Sequence, residues 1–312
     1  MATAINGTEG VSAYAVASRD LDKANAFAKE WGFEKAYGSY EEMLADANVD
    51  LVYVATPHSH HFEHAKMCIL ANKPALVEKA FTANASQAKE LLALAKDKKV
   101  FITEAIWTRY MPMVQMIREA AFSGKIGKIR SVTANLGYPV SGRERVIEPA
   151  LCGGALLDVG IYALTFISIL LGDGFSDIKA EAVLSDKGTD LDDLVTMKAS
   201  CGGEKVLCSF HSSIDCPTDR KGMIYGTEGY IEVGNVNNFE YIEIHDSSRR
   251  LIERIDAPAQ PGTGYEYQFE ACRKALSEGS PECPEMPHSE TVKIMEIMDG
   301  MRAQMGVVYP ND

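Results

Sequence analysis

Residues 51–61 read Leu-Val-Tyr-Val-Ala-Thr-Pro-His-Ser-His-His. Five apolar residues in succession are too few for a helix core and fit a strand buried on both faces. Thr56-Pro57 ends the run, because proline brings no N–H to a ladder and pushes the residue before it away from helical geometry. A helix from about residue 61 to 71 follows, then a short apolar strand at 75–77. The same alternation continues with a helix over 84–98 and a strand over 100–102. It also extends backward. Residues 11–17 form a strand, Asp20 caps a helix over 21–31, and Ser39-Tyr40-Glu41-Glu42 is a capping box opening another. Strands separated by helices of this length require βαβ crossovers and a parallel sheet.

Beyond residue 125 the pattern changes. Residues 129–136 are strand-like and 154–171 form an apolar helical stretch. Short strands then follow one another from 178 to about 255, with turns such as Gly202-Gly203 between 194–201 and 205–213. Strands without intervening helices predict an antiparallel sheet. Helices near 265–277 and 289–305 close the chain. The expected fold is therefore α/β: a Rossmann-like parallel sheet in residues 1–115, then a second α/β domain with a large, mainly antiparallel sheet in 116–312.

Composition narrows the function classes. The 312 residues are 46% hydrophobic and 24% charged, as in a globular chain, and carry 31 basic against 44 acidic side chains, net −13. That balance argues against a nucleic-acid partner. No run of 18 apolar residues and no leader pattern occurs, so no membrane partner is expected. Seven scattered cysteines, with no Cys-x-x-Cys pair, fit a reducing, cytoplasmic setting.

In an open parallel sheet ligands bind outside the carboxyl ends of the strands. The residues that fall there are Ser18-Arg19-Asp20, Thr56-Pro57-His58-Ser59-His60-His61, Glu78-Lys79-Ala80 and Glu104 to Tyr110, which includes Trp107 and Arg109. Closing a strand requires only turn residues, so this gathering of cationic, imidazole and indole side chains marks a candidate site. Arg19, where an acidic residue would accept a ribose 2′-hydroxyl, favours a 2′-phosphate and hence NADP, with NAD possible. His60 and His64, one helical turn apart, raise a metal reading, but no acidic or cysteine partner accompanies them; no metal is expected.

These motifs carry a family resemblance. VASRD (16–20), AYGSYEEML (36–44), VATPHSHHFEHA (54–65), EKA (78–80), EAIWTRYMP (104–112), GKIGKIRSV (124–132), GGALLDVGIYAL (153–164), GTEGYIEV (226–233) and MRAQMGVVYP (301–310) occur in order along nearly the whole chain. They resemble the Gfo/Idh/MocA oxidoreductases, in particular the dihydrodiol-dehydrogenase-like branch. The resemblance implies hydride transfer between a nicotinamide cofactor and a secondary alcohol of a cyclic diol or sugar-like substrate. It places Lys79, Asp158 and Tyr162 in catalysis. Ser18, Arg19, Thr56, Pro57, His58, His61, Glu78, Lys79, Trp107 and Arg109 would line the cofactor, and His58, Trp107 and Tyr162 the substrate. It also implies a homodimer through the antiparallel sheet. Burial and neighbouring cations would lower the pKa of Lys79, and Lys79 would stabilise a Tyr162 phenolate as base, with Asp158 orienting it. Ala80 replaces the family's usual proline.

One departure stands out. The family begins with a strand and a Gly-x-Gly-x-x-Gly turn that cradles the pyrophosphate. MATAINGTEG (1–10) reads instead as the tail of the following helix. A truncated N-terminus is the expectation, and the missing strand would be the central one, leaving a gap. This exact chain would then bind NADP weakly or not at all. The rival readings are a non-catalytic sensor or assembly subunit that has lost the cofactor, and a metal-dependent hydrolase built on the histidines.

Overall fold

The computed structural model describes every residue except Asn311. The parallel region contains β1 (Ala15–Ala17), β2 (Lys35–Tyr37), β3 (Val52–Val54), β4 (Ala75–Glu78) and β5 (Ile102–Ala105). Its helices are α1 (Ala2–Gly7), α2 (Leu21–Trp31), α3 (Tyr40–Leu44), α4 (His58–Leu70) and α5 (Ala85–Lys98). The caps expected at Asp20 and Ser39 form, and Asn84, where the sequence reading starts a helix, is the N-cap of α5. Asp20 accepts from the amides of Asp22 and Lys23, Ser39 from that of Glu42, and Asn84 from that of Gln87.

Several boundaries differ from the sequence reading: β1 starts at Ala15, four residues later than expected, and β2 has no counterpart in it. Helix α4 begins at His58, three residues earlier than expected, because Pro57 occupies the N-cap and its fixed φ is already compatible with helix entry. The last parallel strand lies two residues later than expected, so Glu104 sits inside β5, fully buried, and not in the loop beyond it.

The parallel strands do not form one sheet. β1 pairs only with β2, and β3-β4-β5 form a separate three-stranded piece. The free edges of β1 and β3 both line a cavity of about 850 Å³, walled by residues such as Val16, Val54, Phe33 and Met67. A gap therefore stands between β1 and β3.

The second region opens with α6 (Met113–Phe122) and β6 (Ile129–Gly137), followed by α7 (Glu144–Ile147) and α8 (Ile161–Leu171). Then come β7 (Ser176–Leu184), β8 (Asp190–Cys201), β9 (Glu204–Ser213), β10 (Gly222–Gly226), β11 (Gly229–Gly234), β12 (Tyr241–Asp246) and β13 (Leu251–Asp256). Helices α9 (Glu266–Ser277) and α10 (His288–Met305) complete the chain. The eight strands form one sheet in the order β13-β12-β11-β10-β6-β9-β8-β7, antiparallel except for the parallel β6–β9 pair.

Every residue of α8 is buried. Phe166 lies against Gly222 of β10, where a side chain would collide with its ring. The helical stretch Pro149–Leu171 is long and apolar enough to cross a membrane, yet its apolar 18-residue window is wholly buried within the fold. Its apolarity is accounted for by packing on all sides.

Candidate active site

Lys79 ends β4, and its side chain crosses into the second region. Its Nζ donates to the backbone oxygen of Asp158 at 2.6 Å and to Asp158 Oδ1 at 3.0 Å. The same Nζ lies 5.3 Å from the centre of the Tyr162 ring. Asp158 sits in a single π-helical turn, Leu156–Gly160, that leads directly into α8 and Tyr162. Such turns interrupt regular helix bonding and often accompany functional sites.

This turn is held from below. Asp190 Oδ2 accepts from the Leu156 amide at 2.7 Å, and Gly154, at φ +137°, leaves room for that carboxylate; any Cβ there would fall 2.0 Å from Asp190 Oδ1. Arg145 completes the electrostatics, donating to Asp158 Oδ1 at 2.9 Å. Burial opposes the Asp158 charge, but Lys79, with help from His58 and Arg145, outweighs it and holds the carboxyl below its usual range.

Tyr162 behaves differently from the sequence expectation. Burial, then the nearby Tyr265, Glu78 and Asp158, push its phenol well above 10. Lys79 is engaged by Asp158 and meets the ring of Tyr162 and not its oxygen. The phenol is therefore a proton donor at neutral pH, where the sequence had suggested a Lys-stabilised phenolate.

His58, at the start of α4, reaches across the same seam. Its Nδ1 is 2.9 Å from the Cys152 carbonyl, and burial, with the Lys79 charge second, lowers its pKa to about 4. The ring is neutral, donates from Nδ1 and keeps Nε2 as an acceptor. Glu78 is buried against the Tyr53 hydroxyl and accepts from the Lys79 amide at 3.1 Å; burial raises its pKa. Trp107 is 4% exposed and stacks on Tyr265 at 4.2 Å, with its Nε1 buried and without a hydrogen-bond partner.

The remaining candidates do other work. His61 places its two ring nitrogens 2.8 and 2.7 Å from the carbonyls of Ala80 and Thr56. Burial pushes its pKa to about 3, so the neutral ring donates to one of them and ties the Lys79 loop to α4. The Lys79–Ala80 peptide bond is cis. Thr56 Oγ1 meets His64 Nδ1 at 3.0 Å, and His60 Nδ1 meets Ser59 Oγ at 2.8 Å. The clustered histidines thus spend ring nitrogens on neighbouring oxygens and do not converge on one point.

Arg109 is turned away from the cleft. It donates to Glu290 Oε1 at 3.0 Å and to the Glu285 carbonyl at 2.9 Å, fastening the loop after β5 to α10. Ser18 and Arg19 follow β1, on the far side of the split sheet; Arg19 is exposed and, among the described residues, pairs with no carboxylate. Tyr265 and Arg145 were not foreseen. Neither lies at a strand end, and nothing in local spacing links them to residues 107 and 158.

A nicotinamide dinucleotide is tested by these features. At one end the orphaned Trp107 Nε1, neutral His58 and the Lys79 ammonium converge; at the other Arg19 is available. Both ends fit. Between them, the loops after β1 and β3 (18–20 and 55–57) contain no glycine to bring backbone amides close to a pyrophosphate.

Comparison with known proteins agrees with this layout. The oxidoreductase family with an NAD-binding Rossmann fold, Gfo/Idh/MocA, matches residues 1–105, and the C-terminal domain of that family matches 114–232. The trans-1,2-dihydrobenzene-1,2-diol dehydrogenases of Mus musculus and Homo sapiens are each 33% identical, over 96% of this chain and 90% of their own length. Among solved structures, a 3-ketoreductase from Actinomadura kijaniata in complex with NADP and TDP-benzene superposes with a TM-score of 0.87 at 22% identity, covering 97% of this chain and 93% of its own. An aldose-aldose oxidoreductase from Caulobacter crescentus gives 0.84 at 16% identity, with 97% and 92% covered.

Proposed function

Because the chain belongs to the Gfo/Idh/MocA oxidoreductase family, we propose that it transfers a hydride between NADP and a secondary alcohol of a cyclic diol or sugar-like substrate. The observation that carries this reading is the convergence of Lys79, Asp158 and Tyr162 where the two regions meet, with the Lys79 ammonium on the Asp158 carboxylate and over the Tyr162 ring. The nicotinamide, when bound, supplies the hydride acceptor or donor. Ser18 and Arg19 would hold its adenosine end, the guanidinium favouring a 2′-phosphate and so NADP over NAD. His58, Glu78, Lys79 and Trp107 would hold the other end.

The protein's own groups orient the substrate and manage its proton. Asp158 fixes the Lys79 ammonium, which attracts the substrate oxygen. Tyr162, kept protonated by burial, gives its proton to that oxygen as a carbonyl is reduced; in the reverse direction it first releases its own proton to solvent and then takes the one from the alcohol. Neutral His58 accepts a hydrogen bond from a second substrate hydroxyl, and the Trp107–Tyr265 stack walls the cleft with apolar surface.

The test is reduced-nicotinamide absorbance with a trans cyclic diol, or the corresponding ketone, at millimolar NADP or NAD. NADP should be preferred, and Lys79→Ala should lower kcat by about 10²–10⁴. Equal use of NAD, or turnover indifferent to Lys79→Ala, contradicts the reading. The split sheet favours a second one, a family member without nucleotide chemistry that serves as a sensor or assembly subunit; complete absence of turnover in this assay would select it.

The seven free thiols support a reducing, cytoplasmic setting. Leu207 and Tyr225, 60% and 40% exposed at one end of the outer face of the eight-stranded sheet, support pairing of two copies through that end of the face. Light scattering at micromolar concentration should give twice the 34.1 kDa chain mass; a monomer contradicts pairing.

A further inference from the structure

Away from the cleft, Asp192, His211 and Cys216 bring one carboxylate oxygen, one imidazole nitrogen and one thiol within 4.8 Å of one another. Asp192 lies on β8 and His211 on β9. In the antiparallel register Asp192 faces Ser213 and Leu194 faces His211, so Asp192 and His211 are diagonal neighbours on one face of the sheet. That face is the outer one, because the next residue of each strand turns inward: Asp193 and Ser212 are buried and hydrogen-bonded to each other at 2.9 Å.

Cys216 is delivered by the loop after β9. Ser213 Oγ accepts from the amides of Asp215 and Cys216 at 3.0 and 2.9 Å, which folds the loop back over the sheet. Gly137 permits the approach, since a Cβ there would stand 2.6 Å from the Cys216 carbonyl. The thiol is thus held by a built loop.

We propose that Asp192, His211 and Cys216 bind a divalent transition-metal ion of the zinc class. His211 Nε2 is 3.1 Å from Asp192 Oδ1, and Cys216 Sγ is 3.8 Å from the same oxygen. Ligand atoms around a tetrahedral ion with bonds of about 2.0–2.3 Å stand roughly 3.3–3.8 Å apart, so small side-chain adjustments close the shell. Nitrogen, oxygen and sulfur together suit zinc, cobalt or nickel and not calcium or magnesium, which take oxygen. With the thiol deprotonated on binding, the two anionic ligands match the charge of the ion. All three residues are partly exposed, and an adjoining open groove lined by Thr133, Asn135, Ser209 and Thr218 gives an entry path and room for a fourth ligand, water or an added small molecule.

Cobalt(II) is the probe, because thiolate ligation gives a charge-transfer band that carboxylates and imidazoles do not. Titrating the full chain should produce this band at one equivalent and micromolar cobalt, and zinc should displace it. Cys216→Ser should abolish the band, and His211→Ala should weaken binding at least tenfold. Zinc should also protect Cys216 from alkylation in the unmutated chain, read by peptide mass, which needs no variant. No band at micromolar cobalt, a band that survives Cys216→Ser, or alkylation of Cys216 indifferent to zinc would each overturn the site.

Discussion

The two sheets of this molecule differ in one respect that bears on everything at the cleft. In the second region eight strands run without interruption from β13 to β7, and α8 is packed on their inner face. In the first, five strands are divided between two pieces that share a cavity. The break separates two jobs. Lys79, Glu78 and His58 stand on the β3-β4-β5 side, braced by the π-turn and by Asp190 beneath it. Ser18 and Arg19 stand on the β1-β2 side, whose position relative to β3 is set by packing and not by ladder hydrogen bonds. Hydrogen-bonded registers fix loops at strand ends far more tightly than contacts around a cavity do, because each pair removes slippage along the strand. The reacting end of the site is therefore firm and the nucleotide end loose.

Truncations should expose this contrast. Phe166 is fully buried between α8 and β10, so Phe166→Ala should cost about 3–5 kcal/mol in urea unfolding. Val52 is also buried but lines the cavity, so Val52→Ala removes atoms whose neighbours are already sparse and should cost only about 1 kcal/mol. Equal losses would mean that the cavity is closed in solution.

The seam between the regions gives a smaller, pH-dependent effect. Glu104 in β5 accepts from the Phe81 amide and from Thr291 of α10, and burial raises its pKa from 4.5 to about 7. The folded chain keeps a proton that the unfolded chain releases above 4.5, so this group's contribution falls as pH rises from 4.5 to 7. Across that window Glu104→Gln should gain on the parent by up to about 3 kcal/mol, measured by denaturant midpoints at each pH. A pH-independent difference would place the Glu104 carboxylate in water.

Much of this was legible in the sequence, for local reasons. Asp20, Ser39 and Asn84 cap their helices through bonds to amides two or three residues on, and an apolar run ended by Thr56-Pro57 admits few folds. What depends on distant segments was not legible. Arg109 follows a strand like any site residue, yet Glu290, 181 positions later, draws it away. Arg145 and Tyr265 reach the cleft from loops and helices that no periodicity connects to it. Lys79 Nζ does lie 5.3 Å from the centre of the Tyr162 ring, but the sign of the phenol's shift is set by burial and by Tyr265, Glu78 and Asp158, which only the packed chain brings together.

The claim that a complete reacting centre is coupled to a loose nucleotide end is tested most directly by initial rates against NADP concentration at saturating alcohol. The rate should still climb at millimolar NADP and be lost in Lys79→Ala. Saturation at micromolar NADP would contradict the loose end, and no turnover at any concentration would contradict the complete centre.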